Sequence, residues 1–292
     1  MFGLININKP VGWTSREAVN YVARLVGRKV KVGHAGTLDP LATGVLVVCV
    51  GPATRLEPWI HDHLKSYDAT FLLGRRSDSD DLEGNVEEVE ITQPITAVDL
   101  ERALPEFIGQ IQQVPPVYSA LKIGGKRAYD LARAGTAVEL PPREVLVTRL
   151  NVTSFAFPEF HLEMECGTGT YVRSIGRDLA RRVGTEAVMS RLVRTKIGAF
   201  EVADGIEPEQ LTKENIREHI QSPLTLLAHL PKWPVTPEEY QRLVWGQKLP
   251  CPASLQIDEG QHVSAVNDHG ELAAIAALED GKLAPQIVFK KP

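Results

Sequence analysis

Cysteine is scarce in this chain, with three in 292 residues, at positions 49, 166 and 251. They stand too far apart for a zinc-type spacing, and Cys49 and Cys166 fall in apolar runs. All three are expected to be reduced residues of a cytoplasmic protein rather than a disulfide framework. No apolar run approaches the ~18–20 residues of a membrane span, so no membrane association is expected. The opening stretch Met1-Phe2-Gly3-Leu4-Ile5-Asn6-Ile7-Asn8-Lys9-Pro10 lacks a basic start and a small-residue cleavage site, and reads as a short strand instead of a secretion signal. A nucleophile elbow and a Walker loop are missing, and Gly167-Thr168-Gly169-Thr170 lacks the third glycine of a dinucleotide fingerprint. The acidic run Asp78-Ser79-Asp80-Asp81-Leu82-Glu83-Gly84 places its glycine too late for an EF-hand and has none of the later ligands. His61 and His63 lie two apart, a spacing that shares no helix face, and read as surface residues. No metal and no cofactor is expected.

A large excess of positive charge is also absent: the net charge is −5. Its distribution is uneven, however. Residues 9–76 hold 10 Lys/Arg against 5 Asp/Glu, residues 116–200 hold 13 against 8, and residues 78–90 hold 7 acids and no base. Two basic blocks on an acidic chain can form a local polyanion-binding face, although mixed helix charge produces similar excesses.

The hydrophobic content of 43% suits a globular chain of one large domain or two. Thr14 or Ser15 caps a helix that runs to about Val26 and stops at Gly27. The pattern predicts further helices over 54–64, 97–108, 127–134, 171–183, 207–220 and 223–229. Strands are predicted over 65–74, 143–155, 160–166 and 192–200. Pro231 and Pro234 mark a linker, beyond which short strands alternate with turns such as Asp258-Glu259-Gly260. Strands mixed with helices, without a regular βαβ repeat, fit an α+β fold with a mixed, largely antiparallel sheet flanked by helices. Residues 1–230 are the expected main domain and 231–292 a small β-rich one.

One stretch is unlike the rest. Gly33-His34-Ala35-Gly36-Thr37-Leu38-Asp39-Pro40-Leu41-Ala42-Thr43-Gly44 is a glycine-rich loop running into the apolar Val45–Val50 strand. Pro40 biases Asp39 toward an extended or turn conformation. A single acid on a stiff loop that leads into a core strand is how a scaffold holds a reactive group. On spacing alone it can equally be an Asx-turn cap. Elsewhere Tyr67 begins a strand and Gly169-Thr170-Tyr171-Val172-Arg173 opens a helix. A carboxylate facing a guanidinium is favoured in its charged form, and a tyrosine can stack on a planar ring or move a proton. Such a set suits attack on an electron-poor ring such as a nucleobase, and unrelated turn and core residues fit the spacing too.

The loop from Gly33 through Val45-Leu46 closely resembles the catalytic motif of the TruB family of tRNA pseudouridine-55 synthases. Other motifs of the family follow in order. Asn8-Lys9-Pro10-Val11-Gly12-Trp13-Thr14-Ser15 resembles its N-terminal motif. Gly74–Gly84 resembles its acidic turn, with Ser77 and Ser79 where threonines are usual. Val114-Pro115-Pro116-Val117-Tyr118-Ser119-Ala120-Leu121-Lys122, followed by Gly125 and Tyr129, resembles an RNA-clasping insertion at about 118–143. Gly169–Arg173 and Arg194-Thr195 with Gly198 and Phe200 complete the set. Gly167 stands where a serine is common, and no loss of activity is expected from it. The likeness is strong over about residues 3–200 and looser in the tail.

The resemblance implies an isomerase that turns a flipped uridine of the tRNA T-loop into pseudouridine with neither metal nor cofactor. Asp39 would be the nucleophile, toward the sugar C1′ or the uracil ring. Tyr67 would stack on the base and take the proton from C5, and Arg173 would pair with Asp39. Tyr171 and Leu192 would line the pocket, and His34 would fill the gap left by the flipped nucleotide. Lys9 would lie near the active-site loop or the RNA phosphates. The basic segment Lys122–Arg143 would fold onto the T-arm, and the tail would form a PUA-like RNA-binding domain. The resemblance further implies a monomer that needs no guide RNA or protein partner, with an added tRNA-folding chaperone role.

Overall fold

The fold is described from a computed structural model, in which residues 1–119, 121–123, 126–127 and 140–290 are described. The chain begins with β1 (Gly3–Lys9), an unbroken apolar-rich strand, and α1 (Ser15–Val26). Thr14 caps α1 in a capping box with Glu17, satisfying the free N–H groups of the first turn from both directions. β2 (Val32–Ala35) and β3 (Ala42–Val50) follow, joined by the glycine loop. The strand expected at 65–74 is β4 (Lys65–Leu73). β5 (Arg75–Ser77) pairs with β6 (Val86–Glu88) around the acidic turn. Next come α2 (Glu57–His61, before β4), α3 (Ala97–Ala103), β7 (Gly109–Gln113), and the small hairpin β8 (Lys122–Ile123) with β9 (Lys126–Arg127). β10 (Arg143–Ala156), β11 (Glu159–Cys166), α4 (Val172–Arg182), β12 (Ala187–Ile197) and β13 (Phe200–Glu201) complete the larger unit.

Among the described residues the main sheet runs β1-β3-β12-β4-β11-β10-β7, with β2 and β13 off that path. Every pairing in it is antiparallel except β3 with β12, as the mixed, largely antiparallel reading requires. One edge of β3 is divided between two partners. β12 takes Ala42–Gly44 and β2 takes Val47–Val50, which forks the sheet below the glycine loop.

Register decides what lies over that fork. Ala42 pairs with Leu192, which pairs with Ala69, so these side chains share one face. Leu46 and Val48 continue that face to Ile7 and Ile5. At one end of it, the buried Ala18, Val19, Val22 and Val26 of α1 pack on Ile5, Ile7, Leu46 and Val48. At the other end, Val172, Ile175 and Leu179 of α4 pack on Ala69, Phe71 and Leu162. The opposite face of β1 and β3, through Leu4, Val45, Val47 and Cys49, shares a core with Leu226 and with Leu272, Ile275 and Phe289 of the tail.

That tail holds a five-stranded sheet in the order β14 (Lys232–Pro234), β16 (His262–Val266), β17 (Leu272–Glu279), β18 (Lys282–Val288), β15 (Leu249–Pro250), with α5 (Pro237–Val244) beside it. Trp233, Leu243, Val263 and Leu283 fill its own core. Phe289 stacks on Phe2 at 4.8 Å and Arg55 Nη1 donates to the Val288 carbonyl at 2.8 Å, tying the tail to the first strand and the segment before α2.

Several sequence expectations are corrected. The helix expected at 54–64 is a 3-10 turn over Gly51–Leu56 followed by the short α2, because Pro52 and Pro58 remove donors a continuous helix needs. The helices expected at 207–220 and 223–229 are 3-10 turns at Pro208–Gln210 and Pro223–Thr225 joined by irregular turns. The helix at 97–108 gives way to a 3-10 turn at Leu104, where Pro105 follows. The strand expected from 192 begins at Ala187, since Ala187–Met189 pair with Phe71–Leu73. His63 is no surface residue: its ring packs edge-on to His229 at 5.2 Å and its Nε2 lies 2.9 Å from the Leu226 carbonyl. The helix expected at 127–134 lies outside the described residues, as does most of the insertion.

Candidate active site

The loop between β2 and β3 is fixed from several sides before any side chain of the site is considered. Ser15, buried at the start of α1, accepts from the Leu38 N–H at 2.8 Å and donates to the Leu38 carbonyl at 3.1 Å. The Gly12 N–H donates to the Pro40 carbonyl at 2.8 Å, and Ala42 N–H to the Asp39 carbonyl at 3.0 Å. Leu38 points into the core. Gly36 has φ +73°, a conformation that favours glycine, and a Cβ there would come within 3.3 Å of Arg194 Nη1.

Lys9, at the end of β1, is 0% exposed. Its ammonium donates to the carbonyls of Trp13 at 2.6 Å and Pro10 at 2.9 Å, and approaches that of Pro40 at 3.5 Å. Burial pulls its pKa down to about 8, against the attraction of Asp39. Of the two places expected for Lys9 it takes the one by the active-site loop. Enclosed by these backbone carbonyls, the ammonium braces the active-site loop.

Asp39 projects from this platform with 38% of its side chain accessible, and its Oδ2 meets Arg173 Nη2 at 3.0 Å. Arg173 comes from the first turn of α4 and is itself buried. Its other nitrogen, Nη1, donates to Asp81 Oδ2 at 3.1 Å and to the Ser79 carbonyl at 2.7 Å, while Nη2 also donates to the Tyr118 carbonyl at 3.1 Å. One turn along α4, Arg177 donates to Asp80 Oδ2 at 2.6 Å and to the Val114 carbonyl at 3.1 Å. Asp80 holds a left-handed φ of +63° to make that reach. The acidic turn is therefore the seat of two guanidiniums. Planar, permanently charged and five-donor, they bridge carboxylates and carbonyls that a lysine could not span.

Tyr67 on β4 lies opposite Arg194 on β12. Burial raises its phenol pKa, and the Arg194 guanidinium opposes the rise by charge and hydrogen bonding; Asp39 is close enough to add to it. Arg194 is buried, with Nε donating to the Val45 carbonyl at 2.7 Å in the fork of β3 and Nη2 donating to the Gly36 carbonyl at 2.8 Å. Tyr171 precedes α4. Its N–H donates to Gln113 Oε1 at 2.8 Å and its carbonyl accepts from Gln113 Nε2 at 3.0 Å, which fixes the entry of that helix. Burial raises the Tyr171 phenol too, and Arg173 and Asp39 are among its charged neighbours. Leu192 is 5% exposed, between Ala42 and Ala69 beneath the loop.

Asp39, Tyr67, Tyr171, Arg173, Leu192 and Lys9 thus surround one place. His34 stands apart. It lies on β2 rather than in the loop, its charged neighbours are Arg16, Glu57, Arg194 and His61, and burial lowers its pKa. Its Nδ1 is enclosed without a hydrogen-bond partner. Asp81, Arg194, Gln113 and Ser15 are contributors that sequence reasoning did not single out. Ser15, Asp81 and Arg194 lie inside the quoted motifs, which was the available signal; nothing in the sequence marks Gln113.

Residues 24–172 match the N-terminal domain model of the TruB family pseudouridylate synthases. The chain is 40% identical over 299 residues to a tRNA pseudouridine synthase B of Acaryochloris marina, covering 99% of each. The chain belongs to the TruB family. Two further TruB relatives are the proteins of the same description from Synechocystis sp., 42% identical with 86% of each chain covered, and Dehalococcoides mccartyi, 38% identical with 100% of this chain and 98% of the relative covered. In structure this TruB chain is similar to one chain of a Cbf5-Nop10-Gar1 crystal structure, with TM-score 0.73, 25% identity, and 99% of this chain and 84% of that chain covered. The fold is that of the pseudouridine synthases, and the protein is an isomerase.

Proposed function

We propose that this enzyme converts uridine 55 in the T-loop of tRNA to pseudouridine, with Asp39 as nucleophile. The observation that carries the reading is the accessible Asp39 carboxylate held against a buried Arg173 on a loop pinned from α1, β1 and β12. The names of the relatives support tRNA as the substrate.

The target base must leave the helical stack to reach such a carboxylate. In the reaction the C1′–N1 bond breaks, the uracil turns, a C1′–C5 bond forms, C5 loses its proton and N1 gains one. The product is an isomer, so the stoichiometry requires no co-reactant. Asp39 adds to C1′ or to the ring and is later expelled, a covalent step that divides one difficult exchange into two. Arg173 aims the carboxylate. Tyr67 stacks on the uracil, and its phenol oxygen takes the C5 proton as its own O–H proton passes on toward N1. Tyr171 and Leu192 line the pocket, and His34 occupies the space vacated by the flipped nucleotide. The insertion at about 118–143 clasps the T-arm and the tail serves as a PUA-like RNA-binding domain. The enzyme works as a cytoplasmic monomer, without guide RNA or protein partner.

Incubation of the purified enzyme with a tRNA transcript alone, followed by pseudouridine mapping, tests this. Product at the T-loop uridine is expected, and its absence would overturn the assignment. Asp39→Asn keeps the shape and removes the nucleophile, so turnover should fall by at least about 10³-fold while tRNA binding persists. A tRNA-folding role rests on the same basic clasp; the Asp39→Asn protein should then still accelerate refolding of a misfolded transcript, and no acceleration would remove that role.

A further inference from the structure

Half of the first basic block, Arg16, Arg24, Arg28, Lys29 and Lys31, lies on α1 and the turn after it and is not used by the site. Trp13, Glu17, Asn20, Ala23, Arg24 and Arg28, with Gly27 and Val30, line a groove of about 870 Å³. The lining positions recur at helical spacing, so the groove follows the length of α1, about 18 Å for 12 residues. Its Glu17, Asn20, Arg24 and Arg28 are exposed, which makes it an open trough.

The groove starts where the catalytic loop is anchored. The Trp13 carbonyl accepts from Lys9 Nζ, and Ser15, two residues on, holds Leu38. At its near end is the half-buried indole of Trp13, tilted on Tyr21 at 5.7 Å. Toward its far end lie Arg24, whose guanidinium is over the Tyr21 ring at 5.5 Å, and Arg28, in the turn past Gly27. Arg16, Lys29 and Lys31 flank it, all exposed. Among the described residues none of Arg16, Arg24, Arg28, Lys29 and Lys31 makes an ion pair, a condition they share with exposed Arg102, Arg149, Lys213 and Arg217; what sets them apart is that they cluster along one groove. Glu17, the one acid lining the groove, is engaged by the N–H and hydroxyl of Thr14.

We propose that this groove binds a single-stranded stretch of the substrate RNA flanking the target, with a base on Trp13 and phosphates on Arg24 and Arg28. An aromatic platform joined to unpaired bases along a track is the chemistry by which proteins hold single strands. The open trough suits a backbone that passes through, not an enclosed small molecule. The inference rests on the proposed RNA reaction and extends it to residues outside the catalytic pocket.

Affinity for a full-length tRNA transcript, measured by fluorescence anisotropy over a series of salt concentrations, tests it. Each phosphate contact on a single strand contributes about 0.7 to the slope of log affinity against log salt. Arg24→Gln/Arg28→Gln should therefore lower that slope by about 1.4, and Arg28→Gln alone, beyond the end of α1, by about 0.7. A charge-matched control, Arg102→Gln/Arg149→Gln, removes two exposed bases on elements that share no core with α1 and should leave the slope unchanged. Equal slopes for wild type and the groove variants, or equal losses for groove and control variants, would overturn the groove. Failure of the wild type to form pseudouridine would instead sink the reaction on which the inference rests, so the two failures are distinguishable.

Discussion

Arg173 Nη2 stands 3.0 Å from Asp39 Oδ2, and the two side chains are unequally accessible, 6% for the arginine and 38% for the aspartate. The carboxylate can meet a substrate while its partner is held from below. Because Asp81, Ser79 and Tyr118 take the rest of the guanidinium, the position of Asp39 is set by the acidic turn and not by solvent.

Asp81→Asn should therefore act on both stability and rate. Asp81 is 1% exposed, and removing its charge leaves a buried guanidinium balanced only by the accessible Asp39. Loss of one partner of a buried pair costs about 3 kcal/mol. Urea unfolding should show that loss, and kcat should fall more than KM rises. Unchanged unfolding and unchanged kcat would mean that the turn does not hold Arg173.

Arg194→Gln removes the group that opposes the upward shift of the Tyr67 phenol. The Tyr67 titration, isolated as the ultraviolet difference between each protein and its Tyr67→Phe counterpart, should move to still higher pH in the variant. The loop should also loosen, since Gly36 and Val45 lose their donor. A Tyr67 titration that stays in place would show that Arg194 acts only as a brace.

Lys9 predicts a pH dependence of stability. Its pKa falls from an ordinary lysine value to about 8 in the folded chain. Between about 8 and about 10.4, the ordinary lysine value, the unfolded state binds more protons at this residue, so its contribution favours folding increasingly as pH rises. Below the folded pKa the burial penalty is present in full. Relative to Lys9→Met, the wild type should gain stability across that window in denaturant titrations. A difference between the two that is flat with pH would contradict the burial of a titrating ammonium.

Gly176→Ala tests the seating of α4. A Cβ at this position would fall inside van der Waals contact with the Phe71 ring, which is buried and stacked on Phe160 at 5.2 Å. Overpacking of this kind costs about 1–3 kcal/mol. Arg173 and Arg177 ride on the same helix, so thermal melting should drop and activity with it. An unperturbed melt would mean that Phe71 moves aside without disturbing the helix.

The sequence by itself determined the local chemistry of this protein. Thr14 with Glu17 specified the start of α1, the alternating Phe160, Leu162, Met164 and Cys166 specified a half-buried strand, and Pro40 with its glycines specified a stiff loop carrying Asp39. Order of motifs supplied the family. The weak helices after residue 206 failed because Pro208 and Pro223 start turns that no continuous apolar face prolongs. Only the tertiary structure decided whether Asp39 is a cap or a presented carboxylate. That outcome depends on Arg173, on Asp81 beneath it and on Arg194 in the fork of β3, residues separated from the loop by tens to more than a hundred positions. Local propensity acts over a few residues, whereas the placement of a buried guanidinium is fixed by sheet register and by where its hydrogen bonds can be met.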